Sequence, residues 1–520
     1  MRDDPIRLGR LVDLERCRVG DKILYGGERN LLLFGANGTG KGMRVLVPNL
    51  LQTTALTSPK SIVVIDPKGE LAAITAPFRR SLGPVVIINP FGVLTDIPGY
   101  EDLRSDGFNP LASLDPAAPS FNVEASLMVE ALMPVGGKDP HWDESARALG
   151  ASLIMHHAIE ARRLGQVPSM ARVRELLCMP NEKADESNGH EGKGIPKLAL
   201  SWMESHVAGL RNKGGQFVNW SREKESIAST AMRHTETFDD PEIADDLARG
   251  TFDFAELKRR PCTVYLILPP HMMQRHARWL RLLLTTALTA VMRPRQPGEP
   301  RVLFMIDEFA ALGHLQIIET VWALVRGYGV QIMPVFQDLN QLKAIYGERC
   351  ETFIGMAGAV ASFGPNDMTT AEWLSRRAGD RTELVASYSY SPTPPQQGPG
   401  AAASDPASAG FSFSQVKVPL ITPHNLLNLP EGFGLVALAG MGNLLPSFVP
   451  AYWKIAECQR RARENPYYRR PGRSSAPAMP HGPRPLPIDW YGAYNPNNGY
   501  GLGSGASPIN AAVSISRAIS

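Results

Sequence analysis

The segment Gly35-Ala36-Asn37-Gly38-Thr39-Gly40-Lys41-Gly42 constrains this chain more than any other. It follows the apolar run Leu31-Leu32-Leu33-Phe34 and leads into a stretch with helical potential. A strand that turns through glycines into a helix aims successive backbone N–H groups at one point, and the helix N-terminus adds partial positive charge there. Lys41 is spaced to reach the β- and γ-phosphates of a nucleoside triphosphate. The residue after that lysine is ordinarily Ser or Thr, whose hydroxyl binds Mg²⁺; Gly42 has no side chain to offer. The other reading is a plain Gly-rich turn, and the strand ahead of it argues against that.

Further apolar runs place the loop in an α/β sheet. Ser61–Asp66 and Val85–Ile88 follow it, and Cys262–Leu268, Arg301–Asp307, Val330–Phe336 and Gly358–Phe363 come later. Unbroken β-branched runs are what strands buried on both faces look like, which implies a mostly parallel sheet covered by helices. Between them, Ala125–Leu132, Glu144–Leu164, Ala171–Leu177 and Ser226–Phe238 carry apolar residues at three- and four-residue spacing, with a polar surface stretch at 181–193.

The expected order is therefore a nucleotide-binding part over 1–115 and an inserted all-α domain over 116–250. The sheet then resumes over 251–458. Residues 387–414, rich in Ser, Pro, Gly, Ala and Gln, are expected to be a flexible loop without a core. Residues 459–520 are expected to be a disordered tail. From Arg460 onward that tail has eight Arg against Glu464 and Asp489, a net +6, so the chain's overall +3 leaves −3 for residues 1–459. The folded body is not a generally basic nucleic-acid binder.

Two strands end in Asp. Asp307 is followed directly by Glu308, after five apolar residues, and an adjacent Asp-Glu at a strand end serves two needs of phosphoryl transfer. Mg²⁺ takes a hard carboxylate oxygen, assigned to Asp307, and the attacking water takes a base, assigned to Glu308. Asp66 then either supports the nucleotide site or caps the following helix. Gln337, directly after Val335-Phe336, ends a third strand on the same crevice, where its amide can bond a γ-phosphate or the water, or be a loop residue. Arg326 is either a solvated charge or a group that reaches a neighbouring subunit's nucleotide in trans.

Other chemistries are excluded or disfavoured. Cys17, Cys178, Cys262, Cys350 and Cys458 are scattered with no CxxC pair, which argues for reduced thiols in the cytoplasm and against structural zinc. The longest apolar stretch, Leu282–Met292, is interrupted by threonines and shorter than the ~20 residues of a membrane span. Neither an Asn-Lys-x-Asp guanine box nor a Leu-Ser-Gly-Gly-Gln segment occurs, which favours ATP by elimination.

In sequence order these boxes resemble the TraG/TraD-type coupling proteins of type IV secretion and conjugation. They are the Gly35–Gly42 loop, Val63-Val64-Ile65-Asp66-Pro67-Lys68-Gly69-Glu70, Phe108-Asn109-Pro110-Leu111 and Trp142-Asp143-Glu144-Ser145-Ala146-Arg147. Val264-Tyr265-Leu266-Ile267-Leu268-Pro269-Pro270, Asp307-Glu308-Phe309-Ala310 and Arg326-Gly327-Tyr328-Gly329 complete the set. In that family Gly after the loop lysine is common. The resemblance implies a RecA-like P-loop core with an inserted all-α domain, assembly as a homo-hexamer, and ATP with Mg²⁺ as cofactors. It implies delivery of single-stranded DNA with its relaxase and relaxosome proteins, or of protein, to a type IV secretion channel. An ATP-gated recruitment adaptor with little turnover is the alternative. Lys41, Asp307, Glu308, Gln337 and Arg326 carry over as the nucleotide machinery, with Arg326 acting in trans. Family members usually begin with membrane helices. None is present in the 34 residues before the loop, so a cytoplasmic chain is expected to reach the inner membrane only through partners.

Overall fold

The computed structural model describes residues 2–13, 16, 18–52, 57–135, 140–182, 193–391 and 408–468. Strands β1 (Arg2–Asp3), β2 (Ile6–Asp13), β3 (Arg18–Tyr25) and β4 (Leu31–Gly35) precede the loop. After it come β5 (Thr57–Ser58), β6 (Ser61–Ile65), β7 (Val85–Ile88), β8 (Thr263–Leu266), β9 (Val302–Ile306), β10 (Val330–Phe336) and β11 (Ala359–Phe363). The last are β12 (Asp380–Ser391), β13 (Ser408–Pro419), β14 (Phe433–Leu438) and β15 (Leu444–Phe448).

Eleven strands make one sheet in the order β3-β2-β15-β14-β11-β4-β10-β9-β6-β8-β7. From β11 to β7 the pairings are parallel, and β14, β15, β2 and β3 extend that sheet antiparallel. The phosphate-loop strand β4 thus lies next to β10, and β10 next to β9. All three aim their C-terminal ends at one crevice.

Alternation along each strand explains the unbroken apolar runs. Leu32, Phe34, Val63, Ile65, Phe304 and Ile306 pack on one face. Leu31, Leu33, Ile62, Val64, Leu303 and Met305 pack on the other. Burying both sets removes roughly 25 cal/mol of unfavourable hydration per Å² of apolar surface, which is what holds the sheet between its helical layers. The first face meets the helix Met273–Val291 and the long helix Pro140–Arg163, whose Leu149, Leu153 and Ile154 share that core. Between β7 and β8 the described residues form seven α-helices from Phe121–Leu132 to Pro241–Ala248 and add no strand to the sheet. The second face meets the helix Glu70–Arg80 and the turn that follows the loop.

Two expectations are corrected. Residues expected to begin a coreless loop at 387 belong to a ribbon in which β12 pairs with β13 in antiparallel register. Backbone pairing satisfies its N–H and C=O groups without a core, so Leu384 and Phe413 stay exposed. The residues of that expected loop from 392 to 407 lie outside the described ones. Residues 459–468, assigned to a disordered tail, instead finish the helix Ala456–Arg461 and run back along the helix Glu70–Arg80 and the turn before it. The rest of the tail, the polar stretch over 183–192 and Cys17 lie outside the described residues. Cys178, Cys262, Cys350 and Cys458 are free thiols.

Candidate functional site

The loop has the geometry its glycines imply. Gly38 and Gly40 take φ of +83° and +76°, a region that costs other residues roughly 1–2 kcal/mol. Gly35 has no room for a side chain, because a Cβ there would stand 2.9 Å from Lys41 Cγ. Thr39 closes the turn by donating from both its N–H and its hydroxyl to the Ala36 carbonyl, at 3.3 and 2.8 Å. The helix then opens with a wide turn over Gly42–Leu46, where the Val47 N–H bonds the Gly42 carbonyl. Pro48 has no N–H for the Arg44 carbonyl and its ring crowds that oxygen, which accounts for the widening.

Lys41 donates from Nζ to the Gly35 carbonyl at 2.5 Å and to the Ala36 carbonyl at 3.5 Å. Burial lowers its pKa, while Asp307 and Glu308 oppose that shift. The ammonium is therefore poised among oxygens inside a cleft of about 930 Å³.

Asp307 follows the last residue of β9. Burial pushes its carboxyl up to about 6, and Lys41 only partly offsets this. Burial likewise pushes Asp66 up to about 7, with Asp307 adding repulsion, and its Oδ2 accepts from the Ala72 N–H at 2.8 Å. Asp66 thus lines the cleft while its carboxylate holds the first turn of the helix Glu70–Arg80. Glu308 sits at φ +56° and ψ +47°, and Leu94 is the other non-glycine residue at positive φ among the described residues. That strained backbone aims its carboxylate at Gln337, whose Nε2 donates to Glu308 Oε1 at 2.7 Å. Gln337 is itself fixed, its N–H donating to Gln341 Oε1 at 2.8 Å.

Lys41, Asp66, Asp307, Glu308 and Gln337 therefore line one cleft, together with Ala36, Asn37, Gly38, Gly40 and Gly42. Arg326 does not join them. It precedes β10, at the end of that strand remote from the cleft, and pairs through Nε with Glu28 Oε2 at 3.2 Å. There it lines a second cavity of about 440 Å³ with Arg295, Arg301 and Glu28. The cleft also holds Lys68, Gln274 and Tyr468, which sequence reasoning missed. Lys68 was within reach, since it stands two residues after Asp66 at a strand end. Gln274 and Tyr468 carry no local signal.

The donor set fits a nucleotide-borne Mg²⁺. A desolvated Asp307 carboxyl held beside a single loop cation is a group that a metal would stabilise. No cluster of three His, Cys, Asp or Glu side chains suited to a metal occurs among the described residues. Mg²⁺ commonly binds through one or two carboxylates plus phosphate oxygens and water, which needs no such cluster.

The sequence pattern of the family described as Type IV secretory system Conjugative DNA transfer matches residues 8–445. The conjugal transfer protein TraG of Escherichia coli is 26% identical over 434 residues, covering 78% of this chain and 62% of that protein. The protein VirD4 of Agrobacterium fabrum is 26% identical over 384 residues, covering 72% of this chain and 52% of its own length. The chain thus spans about 62% of the TraG relatives it matches and less of VirD4. Among solved structures, the bacterial conjugative coupling protein TrwBdeltaN70 superposes with a TM-score of 0.57 at 18% identity, covering 85% of this chain and 88% of that one. TrwB in complex with a non-hydrolysable ATP analogue gives 0.57 at 17% identity, covering 85% and 93%. TrwB with ADP and Mg²⁺ gives 0.55 at 17% identity, covering 82% and 85%. These likenesses show a RecA-like P-loop NTPase fold.

Proposed function

This chain belongs to the type IV secretory system conjugative DNA transfer family, and from that premise we propose that it is an ATP-hydrolysing coupling protein. It recruits a DNA–relaxase or protein substrate and drives it toward a type IV secretion channel, working as a homo-hexamer. Its relatives TraG and VirD4, and TrwB solved with an ATP analogue and with ADP and Mg²⁺, support this reading. No helix of the described residues is long and apolar enough to cross a membrane.

The observation that carries hydrolysis rather than binding alone is the Gln337–Glu308 contact at 2.7 Å, in the cleft that also holds Lys41 and Asp307. Lys41 trades its loop carbonyls for the β- and γ-phosphate oxygens. Glu308, oriented by its constrained backbone and by the Gln337 amide, accepts the proton of the attacking water. Mg²⁺, held by Asp307, would neutralise phosphate charge. Arg326, exposed on the far side of the subunit, stabilises the transferring phosphoryl group of a neighbouring copy.

Glu308→Gln keeps the shape and the Gln337 neighbour but removes the base. Single-stranded-DNA-stimulated turnover is expected to fall at least about 100-fold, with nucleotide affinity retained. Unchanged turnover would remove Glu308 from the chemistry. An unsubstituted chain that binds ATP without turning it over, with or without DNA, would favour the recruitment adaptor instead.

A further inference from the structure

Asp66-Pro67-Lys68-Gly69 forms a tight turn at the end of β6, in which the Gly69 N–H bonds the Asp66 carbonyl at 3.2 Å. Three features hold it. Pro67 presets its own φ. The buried Asp66 carboxylate caps the next helix through the Ala72 N–H. Gly69 takes φ +67° against Leu94 and Val93, where an added Cβ would stand 3.3 Å from each. Asp66, Pro67 and Gly69 are buried, and the one exposed residue of the turn, Lys68, lines the nucleotide cleft.

The cleft needs such a charge. Lys41 is the single cation of the phosphate loop, and it shares the site with Asp66, Asp307 and Glu308. A triphosphate brings one more phosphate charge toward those carboxylates than a diphosphate does. Lys68 acts electrostatically on both Lys41 and Asp307, lowering the pKa of each.

Residues 463–468 cross the outer side of this turn as a strap. The Arg463 backbone N–H donates to the Ile74 carbonyl at 2.9 Å, and its Nε donates to the Ala73 carbonyl at 2.6 Å. The buried Asn465 donates from Nδ2 to Glu70 Oε1 at 2.6 Å. The Tyr467 hydroxyl donates to the backbone carbonyl of Lys68 itself, also at 2.6 Å. Tyr468 reaches the rim of the cleft.

We infer that Lys68 is a second phosphate-binding cation, selecting triphosphate over diphosphate, and that the strap from Arg463 to Tyr468 positions it, Tyr467 acting through the Lys68 carbonyl. This rests on the nucleotide reading of the cleft. The test is equilibrium binding of ADP and of a non-hydrolysable ATP analogue, each with Mg²⁺, to the full chain and its variants.

Lys68→Ala weakens the ATP analogue about 10-fold, the loss of one charge-assisted contact, and changes ADP little. Lys68→Arg restores the preference. Tyr467→Phe, which removes a single hydroxyl, lowers the same analogue-over-ADP ratio without lowering the Tm. Combined with Lys68→Ala it adds nothing further, because both act on one group. An unchanged ratio in Lys68→Ala overturns the cation. A Tyr467→Phe variant that loses both nucleotides equally, or only stability, overturns the strap. Lys41→Ala separates the two readings: it should abolish both affinities, and if ADP still binds, the nucleotide reading of the cleft fails on its own.

Discussion

At the scale of single residues, Gly42 is the informative departure from the common phosphate loop. It is not forced by crowding, since a Cβ there would meet only Leu71 Cδ2, at an ordinary 3.8 Å. Gly35 and Gly40 differ: at Gly35 a Cβ would press on the lysine stem, and at Gly40 it would stand 3.1 Å from Arg44 Nε at positive φ. Gly42→Ser is therefore expected to fold with a stability change within about 0.5 kcal/mol. It should also tighten Mg²⁺-dependent nucleotide binding by supplying the missing hydroxyl. Thermal denaturation and a Mg²⁺ titration of nucleotide affinity check both parts, and a collapse in stability would mean that the site is closed to side chains. Glu308 shows the converse, a residue whose positive φ no composition argument anticipates.

At the scale of elements, the segment 105–108 is tied to the helix Pro241–Ala248 through Asp246. The Ser105 hydroxyl donates to Asp246 Oδ1, and the Phe108 N–H donates to the Asp246 carbonyl at 3.0 Å. Asp246 Oδ2 has no hydrogen-bond partner. Burial raises the carboxyl from 3.8 to about 6, so the folded chain holds this proton longer than the unfolded one. The sign follows: any stability from the protonated form is complete below pH 3.8 and is lost as pH rises through about 6. Asp246→Asn keeps an oxygen for Ser105 and cannot ionise. Its stability relative to the parent should rise by about 2–3 kcal/mol between pH 4 and pH 7, the worth of a two-unit shift. Urea denaturation at those two pH values checks it, and an equal difference at both would mean that Asp246 is not the titrating group. The C-terminal strap lives at this scale too. It docks by polar side chains onto backbone carbonyls, so apolar periodicity cannot reveal it.

At the scale of the whole molecule, one apolar cluster runs from Leu32 and Phe34 of β4 through Leu149 to Trp202 and Ile227 of the helical stretch. Sheet and helices therefore share a core. On the opposite side, Glu28 holds Arg326 and Arg301, and Arg301 reaches Asp3 at 2.6 Å. Arg326 is thus kept outward and away from the cleft, as the proposed action on a neighbouring subunit requires. Arg326→Ala subunits mixed with Glu308→Gln subunits should regain turnover that neither variant has alone, because the second supplies the arginine that the intact cleft of the first lacks. ATPase rates over a series of mixing ratios decide this. No recovery at any ratio would show that Arg326 acts within its own subunit, and an Arg326→Ala chain fully active alone would remove it from the chemistry.

The sequence by itself determined the local chemistry. Apolar runs ending in Gly35, Asp66, Asp307 and Gln337 place reactive groups at strand ends, because a strand buried on both faces can be polar only where it emerges. The loop glycines and Lys41 are legible for the same reason: their spacing is itself the geometry. Only the tertiary structure decided what those groups meet. Gln337 reaches Glu308 because β10 inserts between β4 and β9, a pairing between segments far apart in the chain. Arg326 stands apart from them because it lies at the other end of β10. Lys68 enters the site on a turn clamped by residues some 400 positions later. Periodicity reports which side of an element is buried, whereas contacts across the sheet and against the strap depend on strand order and docking, which no local pattern encodes.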